Sequence, residues 1–349
     1  MKKVINYKVA LISVLFFYAM MINLGCNSID ESSAEETNKP ETSKFNLSVA
    51  AIEEGAAIYI DGVYTGKTTP ANFLVSKGEH VIGVGLNTAK TYLRREVQVS
   101  STTEQLVISL DEADLQQPKR WKVLFVGVNQ VTTANGICIS SYSTEQLDLA
   151  YEFLKWSFEE KVEPYSYNTT NWEFYRSDIT TDIVQLSNDH LINPEIFESK
   201  VNDIQKGDYD LIVSFFRGAQ QDCFIADFIG IAWYDVTALS SESSYFTIRY
   251  YDDLEGAIIA SKQNDPGMFI HEWLHTVAER FYPNRGYTMP TFKGQVVHAA
   301  ERYGYSAPWM SWYEDIIAGK VKDGSSYVGI GPEAFLECTV REQAIGQCL

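Results

Sequence analysis

The sequence predicts an α+β protein in which a small all-β domain precedes a larger domain with a mixed sheet and a helix bearing paired histidines. Three observations carry this. Between Phe45 and Leu110, apolar residues alternate in short runs separated by turn residues. Beyond residue 119, continuous apolar runs are interleaved with stretches whose leucines and aromatics recur at helical spacing. Residues 268–281, MFIHEWLHTVAERF, combine a helical apolar stripe with two histidines four apart. The 349 residues are 45% hydrophobic and 13% aromatic, which is enough to bury a core and too apolar for a disordered chain. A net charge of −18 repels phosphates, so nucleic acid is set aside as a partner.

The first 25 residues differ from the rest. Lys2, Lys3 and Lys8 form a basic start, and Val9 to Leu24 is apolar apart from Ser13 and Asn23. That stretch is short for a spanning helix and ends in Leu24-Gly25-Cys26. It resembles the lipobox of bacterial lipoproteins, in which the cysteine carries lipid and becomes the mature N-terminus. Asn23 departs from the aliphatic residue usual at its position, and an uncleaved anchor is the alternative. The resemblance implies a signal peptide over 1–25, and the polar run 26–44 reads as a flexible tether. Loss of three lysines and no acid takes the net charge from −18 to −21, a surface suited to a soluble monomer.

In the all-β region, Ile58 and Ile60 precede Asp61-Gly62, a hairpin turn signal, and Val63-Tyr64 restarts the run. Ile82, Val84 and Leu86 alternate, followed by Val97/Val99 and Leu106/Ile108/Leu110. The stretch GAAIYIDGVYTGKTTPANFLVSKGEHVIGV resembles the PEGA domain in its D-G turn, its Gly66–Pro70 loop, one residue longer than the pattern, and its Gly78-Glu79-His80 element. The resemblance covers about one fifth of the chain and implies an extracytoplasmic accessory module over 45–111. Residues 112–118, polar and ending in Pro118, read as a linker.

The larger domain, 119–349, opens with WKVLFVGVNQV, an apolar run without alternation that predicts a strand buried on both faces. Thr144 to Glu160 reads as a helix capped by Thr144, and Pro194 to Ile204 as a second. Asp210 to Phe216 reads as another buried strand, whereas Gly230–Val236 and Tyr245–Tyr250 alternate as exposed or edge strands do. If Cys26 is lipidated, Cys138, Cys223, Cys338 and Cys348 remain, and four cysteines allow three pairings. Cys138–Cys223 with Cys338–Cys348 is the preferred set because it pins the C-terminal tail; free thiols are the alternative.

Asp265 as N-cap and Pro266 at the first helical position predict the start of the next helix. Ile270, Leu274, Val277 and Phe281 form its buried stripe. On the adjoining face, His271 and His275 stand one turn apart, so both imidazoles can meet one cation, and Glu272 lies close enough to bond a metal-held water. With five histidines in 349 residues, this spacing arises by chance in fewer than about one per cent of such chains. HEWLH thus resembles the H-E-x-x-H of zincin metallopeptidases. The metzincin extension is absent, because Ala278 and Phe281 stand where it has glycine and histidine. A third ligand must come from KGQVVHAAERYGYSAPWMSWYEDIIAGKV, where His298 is the first candidate and Glu301 the alternative, as in thermolysin-like enzymes. Glu314 and Asp315 are more remote candidates. Tyr305 is the candidate for stabilising an oxyanion. Glu279, Arg280, His80 and His190 read as ordinary residues.

The resemblance implies a zinc peptidase of the cell envelope with His271, His275 and His298 on Zn²⁺ and Glu272 as general base. A protein or peptide substrate would add along an edge strand, either Phe246–Tyr250 or Ile231–Val236. The membrane partner is reached through lipid on Cys26. The opposing reading is a non-catalytic surface lipoprotein that binds protein or glycan.

Overall fold

The computed structural model describes residues 44–100, 105–220, 223–224, 229–250 and 253–348. The expected signal peptide, Cys26 and all but the last tether residue lie outside the described residues. The described residues belong to one compact unit. Among the described residues, no helix is long and apolar enough to cross a membrane.

The all-β part contains β1 (Phe45–Ala51), β2 (Ala57–Ile60), β3 (Val63–Thr68), β4 (Ala71–Val75), β5 (Gly78–Gly85), β6 (Tyr92–Val99) and β7 (Gln105–Leu110). They form two sheets, ordered β4-β1-β7 and β3-β2-β5-β6. Leu47, Val49, Ile58, Ile82, Val84, Leu93 and Ile108 fill the space between them, as the alternation predicts. Asp61 and Gly62 turn β2 into β3 with φ of 52° and 78°, the type I′ geometry that matches strand twist. His80 fastens this turn: its Nδ1 lies 2.8 Å from Asp61 Oδ2, while Asp61 Oδ1 accepts the Val81 N–H at 2.9 Å.

The outer face of the β3-β2-β5-β6 sheet is covered by the larger domain. Tyr59 and Tyr92 are buried there with Ala57, Tyr167 and Ala318. The Tyr59 hydroxyl donates to the Ala318 carbonyl at 2.8 Å, and Arg94 Nε donates to Glu333 Oε2 at 3.0 Å. In β5, Val84 points inward and Gly85 outward, where a Cβ would come within 2.5 Å of the Tyr167 ring. The expected linker is fixed too. Asp114 is buried and accepts two bonds from the Arg95 guanidinium, at 2.8 and 2.6 Å.

The larger domain begins with β8 (Lys119–Thr132), β9 (Ile139–Ser141), α1 (Thr144–Ser157), α2 (Glu163–Tyr165), β10 (Thr170–Arg176), β11 (Ile179–Gln185) and α3 (Pro194–Lys200). It continues through β12 (Leu211–Arg217), β13 (Ala219–Gln220), β14 (Cys223–Phe224), β15 (Gly230–Trp233), β16 (Ser244–Tyr250), α4 (Leu254–Asn264), α5 (Met268–Thr276) and α6 (Tyr282–Asn284). The chain closes with α7 (Met310–Ala318), β17 (Val321–Asp323), β18 (Ser326–Val328), α8 (Pro332–Glu337) and α9 (Val340–Ala344). The main sheet runs β10-β8-β12-β16-β15; the first four strands are parallel and β15 is antiparallel to β16. Along β8, Trp121, Val123 and Phe125 join a core with α1 and α5, whereas Leu124, Val126 and Val128 join Phe197 of α3 on the other side. Both faces of β8 are therefore dry, which is why its sequence shows no alternation.

Several boundaries differ from expectation. Ser143, not Thr144, caps α1, through a reciprocal capping box with Gln146. The second predicted helix ends at Lys200. β16 is no edge: every residue in it is buried, because β12 and β15 flank it. Helix α4 has no counterpart in the expectations, and Asp265 closes it at the C-terminal end instead of starting the next helix. Pro266 has no N–H to continue α4, so the chain turns there and α5 begins after Gly267. Cys338 and Cys348 are disulfide-bonded. Cys138 is disulfide-bonded as well, but the Cys223 side chain lies outside the described residues.

Gly85→Ala is expected to cost about 1–3 kcal/mol by overpacking Tyr167, seen as a lower thermal midpoint. Most of that penalty should vanish in a Tyr167→Ala background, whereas a purely local strand effect would persist.

Candidate metal centre

α5 is buried on nearly every side, with Phe269, Ile270, Trp273 and Leu274 in the core. Trp273 meets Trp121, Trp172 and Phe158 at ring separations of 6.2, 5.5 and 5.6 Å. This contact sets the rotation of the helix and leaves His271, Glu272 and His275 facing a cleft beside β15. A wide π-type turn, Val277–Phe281, continues α5 into α6, and a 3-10 segment, Val297–Tyr303, crosses nearby carrying His298.

His271, His275 and His298 come together. Their ring centroids are 4.9, 5.0 and 4.9 Å apart, nearly an equilateral triangle, and one nitrogen from each lies within 4.8 Å of the others. The Nε2 atoms of His271 and His275 are 3.2 Å apart. Tetrahedral ligands held about 2.0–2.1 Å from zinc stand about 3.3 Å from one another, so the pair has the spacing a zinc ion requires. Two imidazole nitrogens plus a third within reach form a neutral, borderline-soft donor set that suits zinc. Burial, and then the neighbouring His275 and His298, hold His271 down at about 3. It is therefore neutral and available as a ligand at physiological pH.

The outer nitrogens of two of these histidines also face polar groups. His271 Nδ1 lies 2.8 Å from the Tyr313 hydroxyl. With Nε2 given to a metal, Nδ1 carries the proton and donates it to the phenol oxygen. His275 Nδ1 lies 3.2 Å from Glu279 Oε2. The other carboxylate oxygen of Glu279 accepts the backbone N–H groups of Val296 and Val297, at 2.7 and 3.0 Å. Glu279 thus joins the helix that bears two histidines to the segment that bears the third. Sequence reasoning treated it as an ordinary charge; its position four residues after His275 is the signal that points to this contact.

Glu272 is 7% exposed and sits against the edge strand. A Cβ at Gly230 would fall 2.6 Å from its Oε1, so only glycine leaves room for the carboxylate. Burial raises Glu272 from 4.5 to about 7, opposed by the nearby His275 and by a hydrogen bond from the Ala232 backbone. A carboxylate poised near neutrality suits proton transfer. The cleft has a volume of about 690 Å³ and is lined by Gly230, Ile231, Ala232 and Tyr234 on the strand side.

The remaining candidates lie elsewhere. Glu301 is exposed and outside the histidine cluster. Tyr305 does not line the cleft, because its hydroxyl donates to Asp315 at 2.5 Å. Tyr313 and Tyr234 line it instead. Among the described residues the other clustered set, Cys338, Glu342 and Cys348, has its two sulfurs bonded to each other.

Residues 44–112 match the PEGA domain. No curated protein is detectably similar in sequence. Among solved structures, metalloproteinase-II from Bacteroides fragilis aligns with 58% of this chain and 68% of its own, at 9% identity and a TM-score of 0.25. At that score the likeness carries no argument about this chain, and the site stands on its own geometry.

Glu279→Ala is expected to weaken zinc binding about 10–100-fold, measured by competition with a chromogenic chelator. A pH series separates Glu272 from its surroundings. In the metal-free fold it keeps its proton to about 7, against 4.5 for an ordinary glutamate. Between those values the folded state binds more protons than the unfolded chain, so this group lowers stability as pH rises. Metal-free Glu272→Gln should therefore gain stability relative to wild type across that window, read from paired denaturant titrations.

Proposed function

We propose that the chain is a zinc-dependent peptidase. The observation that carries this reading is the triangle of His271, His275 and His298 beside a buried Glu272, at the mouth of a cleft walled by an edge strand. His271 and His275 would hold the ion through Nε2, with His298 as third ligand. Bound zinc would polarise a water molecule and supply the hydrolytic nucleophile at neutral pH. Glu272 accepts the proton of that water on its carboxylate and returns it to the leaving amine. The Ala232 N–H holds the carboxylate in place. The His271 proton on Nδ1 rests on Tyr313, which leaves the Tyr313 hydroxyl proton free to face the cleft.

The substrate arrangement follows from β15. The Arg249 N–H donates to the Ile229 carbonyl, so residues 229, 231 and 233 bond toward β16 and the backbone of Gly230 and Ala232 faces outward. Ala232 N–H is engaged by Glu272, and the remaining outward groups can pair with an extended peptide as an added strand. The basic, apolar start ending in Cys26 supports a lipid-anchored, extracytoplasmic location, in keeping with the PEGA domain.

Elemental analysis of protein purified without chelator should show about one zinc per chain. Glu272→Ala should retain it while cleavage of casein or a peptide library falls about 10²–10⁴-fold. Metal retained with no Glu272-dependent cleavage would favour the opposing reading, a surface lipoprotein that binds protein or glycan. His298→Ala should release zinc and Glu301→Ala should not; the reverse pattern would make Glu301 the third ligand.

A further inference from the structure

We propose that the cleft selects a substrate bearing a protonated amine or guanidinium, and that Asp265 is the residue that reads it. The inference rests on the peptidase reading and names its substrate class. Leading away from the histidines, the cleft is bordered by Met268 and Tyr313 and reaches Tyr250, Ser261, Asp265 and Trp309. Among the described residues that line it there is no lysine or arginine. The acids among those described residues are Asp265 and Glu272, and Glu272 is committed to the reacting end.

The two oxygens of Asp265 each take one backbone N–H, Gly267 at 3.2 Å and Trp309 at a long 3.5 Å. Each keeps a free lone pair. Among the described residues it has no ion-pair partner, although the fold pairs many of its other half-buried acids, such as Asp178 with Arg176 and Glu333 with Arg94. The carboxylate also sits close to an aromatic wall. The Cβ position at Gly267 is 2.4 Å from the Tyr313 ring and 3.1 Å from Asp265 Oδ1. Tyr313, Trp309 and Tyr250 line the cleft together with this one acid, and aromatic rings beside a carboxylate are surroundings in which a cation is bound by charge and by π-electrons together. A neutral apolar side chain would fill the same space and leave the carboxylate partly dehydrated and unpaired, which penalises it. The cation belongs either to a lysine or arginine side chain or to the free amino terminus of a peptide.

The test is binding, measured by calorimetry on the zinc-loaded protein with three hydroxamates: Nα-acetyl-lysine, Nα-acetyl-norleucine and norleucine with a free amine. The lysine probe should bind about ten-fold or more tightly than acetyl-norleucine. Asp265→Asn should abolish that gain, with acetyl-norleucine bound at least as tightly as by the wild type, because the neutral amide costs less to dehydrate than the carboxylate. Ser261→Lys, which places a resident ammonium in the cleft and leaves Asp265 intact, should abolish it too and guards against misfolding at the Asp265 turn. If the gain instead follows the free amine of norleucine and is lost in Asp265→Asn, the cation recognised is the chain terminus. Equal affinities for all three probes, or a lysine preference that survives both variants, overturn the proposal while the metal site stands. Failure of every hydroxamate to bind removes the catalytic-metal reading, and the proposal with it.

Discussion

The packing of Trp273 against Trp121, Trp172 and Phe158 is the contact on which the site depends. Each such aromatic pair is worth about 0.5–1.5 kcal/mol beyond its buried area, and the cluster fixes how α5 is rotated on the sheet. That rotation turns one face of the helix toward β15 and buries Glu272 and His275 at 7% and 4% exposure. Desolvating a carboxylate and an imidazole is costly. The surrounding apolar burial supplies the compensating free energy, and the raised proton affinity of Glu272 is the visible trace of the cost.

A second constraint operates through Glu279. Three histidines drawn from a helix and a separate 3-10 segment form a triangle only if those two pieces keep a fixed relation. One carboxylate supplies it, with one oxygen 3.2 Å from His275 Nδ1 and the other accepting two backbone N–H groups. A neutral residue there would remove the two backbone bonds that tie the second piece to the helix bearing the first two histidines, leaving the bond from Trp312 Nε1 to the Val297 carbonyl at 2.9 Å, which joins it to α7 instead.

The PEGA domain is built into this frame. Tyr59, Tyr92 and Tyr167 form a common buried layer with both parts of the chain, and Gly85 makes the room that Tyr167 occupies. From the sequence, β5 reads as one more half-exposed strand. Its glycines carry no apolar pattern, so a sheet face closed by another domain's side chains left no mark in the alternation. The segment 112–118 misleads for the same reason, since a polar run looks like a linker until Asp114 meets Arg95.

What the sequence determined by itself are the properties written in local spacing. Alternation and the Asp61-Gly62 turn specify the sandwich, the unbroken apolar run of β8 specifies a strand dry on both faces, and HEWLH places His271 and His275 one turn apart. The resemblance of residues 45–111 to the PEGA domain agrees with the match at 44–112. Tertiary structure decided what depends on segments meeting in space. It brought His298 to the pair, put Tyr313 rather than Tyr305 at the cleft, buried β16 inside the sheet, and turned Asp265 from a helix start into the end of α4 at the cleft wall. Local spacing fixes the direction of a side chain relative to its own helix or strand. Which residue stands opposite is set by how those elements pack, and no periodicity within one element encodes that.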